Sequence, residues 1–138
     1  MKNILKIIIV TTVFILGCGE RSPKRDHIPV IKNSLLKLQT SVKESNRAAI
    51  DSLLSVSILD KDQSSDSLLS FVYGFDGSFM FEQFGMAEFF YTNKQGRIDC
   101  YIMDSTHSKD RPFVLFIAYE HDKWLFTSFE EGDTTSSY

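Results

Sequence analysis

Apolar positions along the 138 residues fall into three spacings, and each predicts a different kind of element. Near the start, Ile7 to Gly17 is an 11-residue run without charge, broken only by Thr11 and Thr12 and preceded by Lys2 and Lys6. Residues 19–27, Gly-Glu-Arg-Ser-Pro-Lys-Arg-Asp-His, are polar with no apolar period and read as a tether. Ile31, Leu35, Leu38 and Val42 then recur at intervals of four, three and four among Lys32, Lys37 and Lys43, the stripe of an amphipathic helix with Pro29 suited to its first turn. A second helix is predicted from about Arg47 to Leu59, with Ile50, Leu53 and Leu54 on one face and Asn46 or Ser45 as its cap. A third follows the polar break Asp60 to Ser65, with Leu68, Val72 and Phe75 on one stripe and Gly74 or Gly77 as stop signals.

After Gly77 the period shortens toward two. Phe79 and Phe81 alternate with Met80 and Glu82, and a further run ends in Phe89, Phe90 and Tyr91 before the turn Asn93-Lys94-Gln95-Gly96. Ile98, Cys100 and Ile102 then alternate with Asp99, Tyr101 and Met103, a strand with one wetter face, so this part reads as a hairpin. Asp104 to Pro112 is a polar loop by composition. Beyond it, Phe113 to Tyr119 and Trp124 to Phe129, joined by Glu120-His121-Asp122-Lys123, predict a second antiparallel hairpin. The tail from Glu130 to Tyr138 is expected to fray.

Helices first and antiparallel strands afterwards imply an α+β layer in which a curved sheet wraps the leading helix. On the helix around Leu35 to Val42, the segment Asn46-Arg47-Ala48-Ala49-Ile50-Asp51-Ser52-Leu53 and the closing strand Asp122-Lys123-Trp124-Leu125-Phe126-Thr127-Ser128-Phe129, the chain resembles the cystatin-like cone of the nuclear transport factor 2-like superfamily. The resemblance covers nearly the whole domain and rests on element order plus a tryptophan-containing last strand.

The uncharged N-terminal run falls short of the roughly 20 residues that span a bilayer as a helix, so it reads as a cleaved export signal rather than a permanent span. It ends Ile15-Leu16-Gly17-Cys18, which resembles the lipobox of bacterial lipoproteins: an aliphatic residue three before the cysteine, a small one just before it, and a thiol to take the lipid. Leu16 departs mildly from the commonest residue type at its position. The resemblance implies cleavage after Gly17, two or three acyl chains on Cys18, and a domain held outside the cytoplasm. One chain alone binds membranes marginally, at about 0.8 kcal/mol per buried methylene, so several chains imply a lasting anchor. Gly19 stands where an aspartate would signal inner-membrane retention, which favours the outer membrane. The expected organisation is signal peptide 1–17, lipidated cysteine and tether 18–27, one α+β domain 28–130, and a flexible tail 131–138. The alternatives are an ordinary signal peptide that happens to contain a cysteine, or a buried N-terminal helix.

Residues 18–138 suffice for one core, not two. Lys2 and Lys6 leave with the signal, so 13 basic residues face 18 acidic ones, a net charge of −5. With no basic run beyond Lys24 and Arg25, nucleic acid is not an expected partner. An acylated Cys18 leaves Cys100 without a disulfide partner in the chain, and its place between Ile98 and Ile102 reads as a buried small hydrophobe.

Catalytic and cofactor motifs are missing: there is no phosphate loop, no G-x-S-x-G, no H-E-x-x-H, and no zinc spacing among His27, His107 and His121. Asp60-Lys61-Asp62-Gln63-Ser64 opens like a calcium loop, but Ser65 and Phe71 occupy the glycine and glutamate positions, so a helix-capping loop fits better. If the cone held an acid/base site, Tyr73, Asp99, Tyr101, Asp104 and His107 would be its cavity candidates, although no spacing gathers them. Eleven of the 12 phenylalanines lie between Phe71 and Phe129, enough for a core and a binding surface besides.

Three functions follow as expectations: a non-catalytic lipoprotein whose curved sheet binds a protein partner or small apolar ligand, a small cone-fold enzyme, or a structural module that dimerises through the open sheet face. An apolar cavity without buried carboxylates would favour the first, Asp99 or His107 in a closed pocket the second, and an exposed aromatic sheet face the third.

Overall fold

The computed structural model describes residues 26–56, 64–92, 94–106 and 110–133. Gly17, Cys18, residues 60–63 of the segment that opens like a calcium loop, His107 and the tail 134–138 lie outside them. Helix α1 (Ile28–Lys43) buries the predicted stripe Ile31, Leu35, Leu38 and Val42, together with Ser41. Ser41 tolerates burial because its hydroxyl donates to the Lys37 carbonyl one turn back, 2.8 Å away. The helix ends where Ser45 turns left-handed at φ 51° and its N–H reaches the Val42 carbonyl.

Helix α2 (Arg47–Leu53) is capped by Asn46, whose Oδ1 accepts the Ala49 N–H at 3.1 Å. It ends at Leu53, and residues 57–59 of the expected span lie outside the described residues. Leu54 turns extended and forms a parallel bridge with Phe126, and the Ser55 N–H donates to the Phe126 carbonyl at 2.8 Å. A sheet edge offers paired backbone groups that a further helical turn would leave unpaired, so the edge wins. Helix α3 (Ser65–Tyr73) buries Leu68, Leu69 and Val72 and ends at Gly74, φ 76°. Phe75 leaves the predicted stripe: past that left-handed glycine it is 96 % exposed.

Four strands follow, β1 (Phe81–Tyr91), β2 (Gln95–Asp104), β3 (Asp110–Glu120) and β4 (Lys123–Glu131), an antiparallel meander in the order β1-β2-β3-β4. Both predicted hairpins are present. The polar loop contracts, because Asp104 closes β2 and Asp110, Arg111 and Pro112 already pair with β2; Glu130 and Glu131 likewise belong to β4. Bulges in β1, between Phe81 and Gln83 and between Met86 and Glu88, shift the alternation so that Phe81 and Phe84 both point inward. The three helices pack on the concave side of this curved sheet. Gln39 of α1 ties them at the edge, its Oε1 accepting the Phe84 N–H at 3.0 Å.

Candidate functional site

The concave side is occupied. Ile98, Cys100 and Ile102 of β2, with Phe113, Leu115 and Ile117 of β3, meet the α1 stripe in one core. Toward the α3 end the space is closed by phenylalanine: Phe84 stacks on Phe113 at 5.4 Å, Phe81 lies 4.8 Å from Phe84, and Phe71 sits 5.4–5.5 Å from Phe113 and Phe129. The opposite end is closed by Trp124, Tyr91 and Tyr119 around His27. His27, which composition assigns to the tether, is therefore part of the packed domain.

Period-two alternation decides the fate of the cavity candidates. Because Ile98, Cys100 and Ile102 take the interior, Asp99 and Tyr101 fall on the opposite, outer face of β2 and not in the cone. Asp99 accepts a hydrogen bond from Arg97 Nε at 2.6 Å on that same face. Tyr73 is half-buried against Phe81, and its hydroxyl donates to the Val42 carbonyl at the end of α1; burial raises its pKa. Asp104 does turn inward and is 7 % exposed, yet its Oδ1 accepts from both the N–H and the hydroxyl of Thr106 at 2.8 Å, closing the turn after β2. Among the described residues these groups fall on α3 and on both faces of β2, so no acid/base pair is assembled from them. Among the described residues, no three His, Cys, Asp or Glu side chains come together as a metal site. Cys100 is buried as expected, and that burial, with Asp99 nearby, pushes its thiol up to about 12.

Composition missed Arg111, which it assigned to a loop. It lies inside β3, and its Nη2 donates to the Phe71 and Val72 carbonyls at 2.8 and 2.7 Å, satisfying the C-terminus of α3, while the guanidinium covers the Phe79 ring at 4.5 Å. Counting back by twos from Phe113 would have placed it facing inward.

The outer face remains. The register sets Phe90 beside Arg97 and Arg97 beside Phe116, with Tyr101 beside Pro112 and Ala118 beside Leu125. Phe90 is 54 % exposed, and Tyr101, Met103, Phe116 and Leu125 are half-buried by their neighbours alone. Val114 is buried on this face, outside the core. Carboxylates surround the apolar strip: Glu88, Asp99 and Asp133 share a shallow dip with Arg97. The Asp99 hydrogen bond, aided by Glu130 and Asp133, raises the Arg97 pKa. This is an aromatic surface with an acidic rim, able to bury apolar area and pair with cations.

No protein-family model and no curated protein matches the chain. Solved structures do. A designed protein of the nuclear transport factor 2-like fold superimposes with a TM-score of 0.56 at 13 % identity, over 78 % of this chain and all of its own. A DUF4783 family protein from Bacteroides uniformis gives 0.49 at 11 % identity, over 73 % of this chain and 97 % of its own. A SEC-C motif containing protein from Rhodopseudomonas palustris also gives 0.49, at 9 % identity, over 68 % of this chain and 72 % of its own. At such identities the likeness to the designed protein establishes the architecture alone: this chain has the nuclear transport factor 2-like cone, three helices on a curved four-stranded antiparallel sheet.

Proposed function

We propose that the protein is an envelope lipoprotein, acylated on Cys18, whose domain works without catalysis by holding a protein partner on the outer face of its sheet. The observation that carries the binding half is the division of labour between the two faces. Phenylalanines pack into the concave side, where a cone protein would take a small ligand, whereas on the convex side Phe90 is exposed and Tyr101, Met103 and Phe116 are only half-buried. The acidic rim, Glu88, Asp99, Glu130 and Asp133, favours a partner with an apolar centre and cations around it. Two copies of so acidic a face would repel each other, which sets this reading above self-association. The anchor half rests on the lipobox resemblance at Ile15-Leu16-Gly17-Cys18.

The test is photo-crosslinking in the native host from a benzoylphenylalanine placed at Tyr101 or at Met103, with Phe75 as the off-face control. A discrete light-dependent adduct from both outer-face positions, absent from Phe75 and weakened by Arg in place of Glu88 and Glu130, is expected. No adduct from the outer face, or one whose mass is twice that of the chain, would overturn the proposal; the latter would assign the face to a second copy.

A further inference from the structure

We infer that the end of the domain carrying the β1–β2 and β3–β4 turns is seated against the membrane, with Phe90 and Phe116 at the lipid interface; this rests on the acylated Cys18 proposed above. The described chain begins at this end. Tyr91, the last residue of β1, donates through its hydroxyl to Asp26 Oδ1 at 3.4 Å. His27 packs 5.5 Å from Tyr119 and 5.4 Å from Trp124, which flank the β3–β4 turn. The start of α1 is thus fixed to the turn end by three rings and a hydrogen bond.

Chain length then limits where that end can be. Eight virtual bonds separate Cys18 from Asp26, which reach at most about 28 Å when fully extended. From the turn end to Asp104 and Asp110, strands of ten residues carry the far end about 30 Å further off at roughly 3.3 Å per residue. A lipid on Cys18 therefore keeps the turn end within about 28 Å of the bilayer at all times, whereas the far end approaches it only if the domain lies over or inverts on a nearly fully extended tether. The tether also holds whatever this end displays at high effective concentration near the lipid, so a small affinity suffices.

What it displays suits an interface. Phe89, Phe90, Tyr91 and Phe116 line one shallow, mostly apolar shelf at this end, together with Thr92, Gln95 and Arg97. Arg97 is the cation on this shelf, while Lys94, exposed beside it, serves the turn through its backbone, its carbonyl binding the Tyr119 N–H. Aromatic rings with nearby cations are the groups that settle at headgroup depth. Docked this way, the domain turns the Tyr101 and Met103 region of the outer face away from the lipid and leaves it open to a partner.

The experiment uses the full processed chain in phosphatidylethanolamine/phosphatidylglycerol vesicles. An environment-sensitive thiol dye is placed by Lys94→Cys at the turn end or Asp110→Cys at the far end, since an acylated Cys18 and a buried Cys100 do not take the dye. With nitroxide lipids labelled at the headgroup, the Lys94→Cys dye is expected to be quenched at least threefold more than the Asp110→Cys dye, and Phe90→Glu to abolish the difference. Equal quenching at both ends, or contact of the Lys94→Cys dye with a second copy instead of lipid, would overturn the docking while leaving the anchor intact. A chain that washes off the vesicles and takes dye at Cys18 would instead remove the anchor, and the docking with it.

Discussion

Arg111 concentrates several roles in one side chain. Two carbonyls at the end of α3 receive its hydrogen bonds, and its flat cation covers Phe79. Hydrogen bonds from a charged donor contribute about 1.5–3 kcal/mol, so Arg111→Ala is expected to lower the unfolding free energy by about 2–4 kcal/mol in urea titrations. Arg111→Lys should recover less than half, because an ammonium can neither span both carbonyls nor stack. Cys100 makes a second residue-scale prediction. Its folded-state pKa of about 12 lies above the ordinary 9.0. Well below pH 9 the thiol is neutral in both states and stability is unaffected; as pH passes through 9 the unfolded chain loses a proton that the folded chain keeps, so stability falls as pH rises toward 12. One linked proton gives a slope of about 1.4 kcal/mol per pH unit. Tyr73, also raised by burial, adds in the same direction at higher pH. Cys100→Ala should remove the first part of that slope, and alkylation of wild-type Cys100 with iodoacetamide at pH 8 should require denaturant. Single residues were legible where a period of two or four governed them, as for Cys100 or Leu38. Arg111 was hidden because its charge and the following Pro112 resemble a loop, although its strand parity points inward.

Elements obeyed their local signals except where another element offered a better partner. The α1 stripe, the Asn46 cap, the Gly74 stop and both hairpins followed from spacing and cap chemistry. The second helix was cut short by the edge of β4, which takes up Leu54 and Ser55, and no local pattern announces a distant sheet edge. Likewise, Phe75 fits the helical period of Leu68 and Val72, but the chain leaves the helix one residue before it. These differences set up paired substitutions read by thermal or urea unfolding. Asn46→Ala should cost about 1 kcal/mol as a lost cap. Leu68→Ala should cost about 2–5 kcal/mol as a core cavity, while Phe75→Ala should stay within about 0.5 kcal/mol because nothing covers it. A large loss at Phe75 would mean that it is packed, contrary to its exposure.

Across the whole molecule, the fold class was legible from element order and the face assignment was not. Helices before antiparallel strands led to the cone, since few other layers bury one helical stripe and two hairpins. Whether Asp99 and Tyr101 line its interior depended on strand register, which one residue inverts. The register puts Ile98, Cys100 and Ile102 inside, closes one end of the interior with phenylalanine and leaves on the outer face the surface that the proposal assigns to a partner. The proposed tethering of a non-catalytic binding module depends first on Cys18. Its most direct test is intact-mass analysis of the membrane fraction for the wild type and Cys18→Ala. A mature chain starting at Cys18 with added acyl mass, and loss of both processing and membrane attachment in Cys18→Ala, is the predicted result. A wild-type chain that keeps residues 1–17, or that carries no lipid, would contradict it.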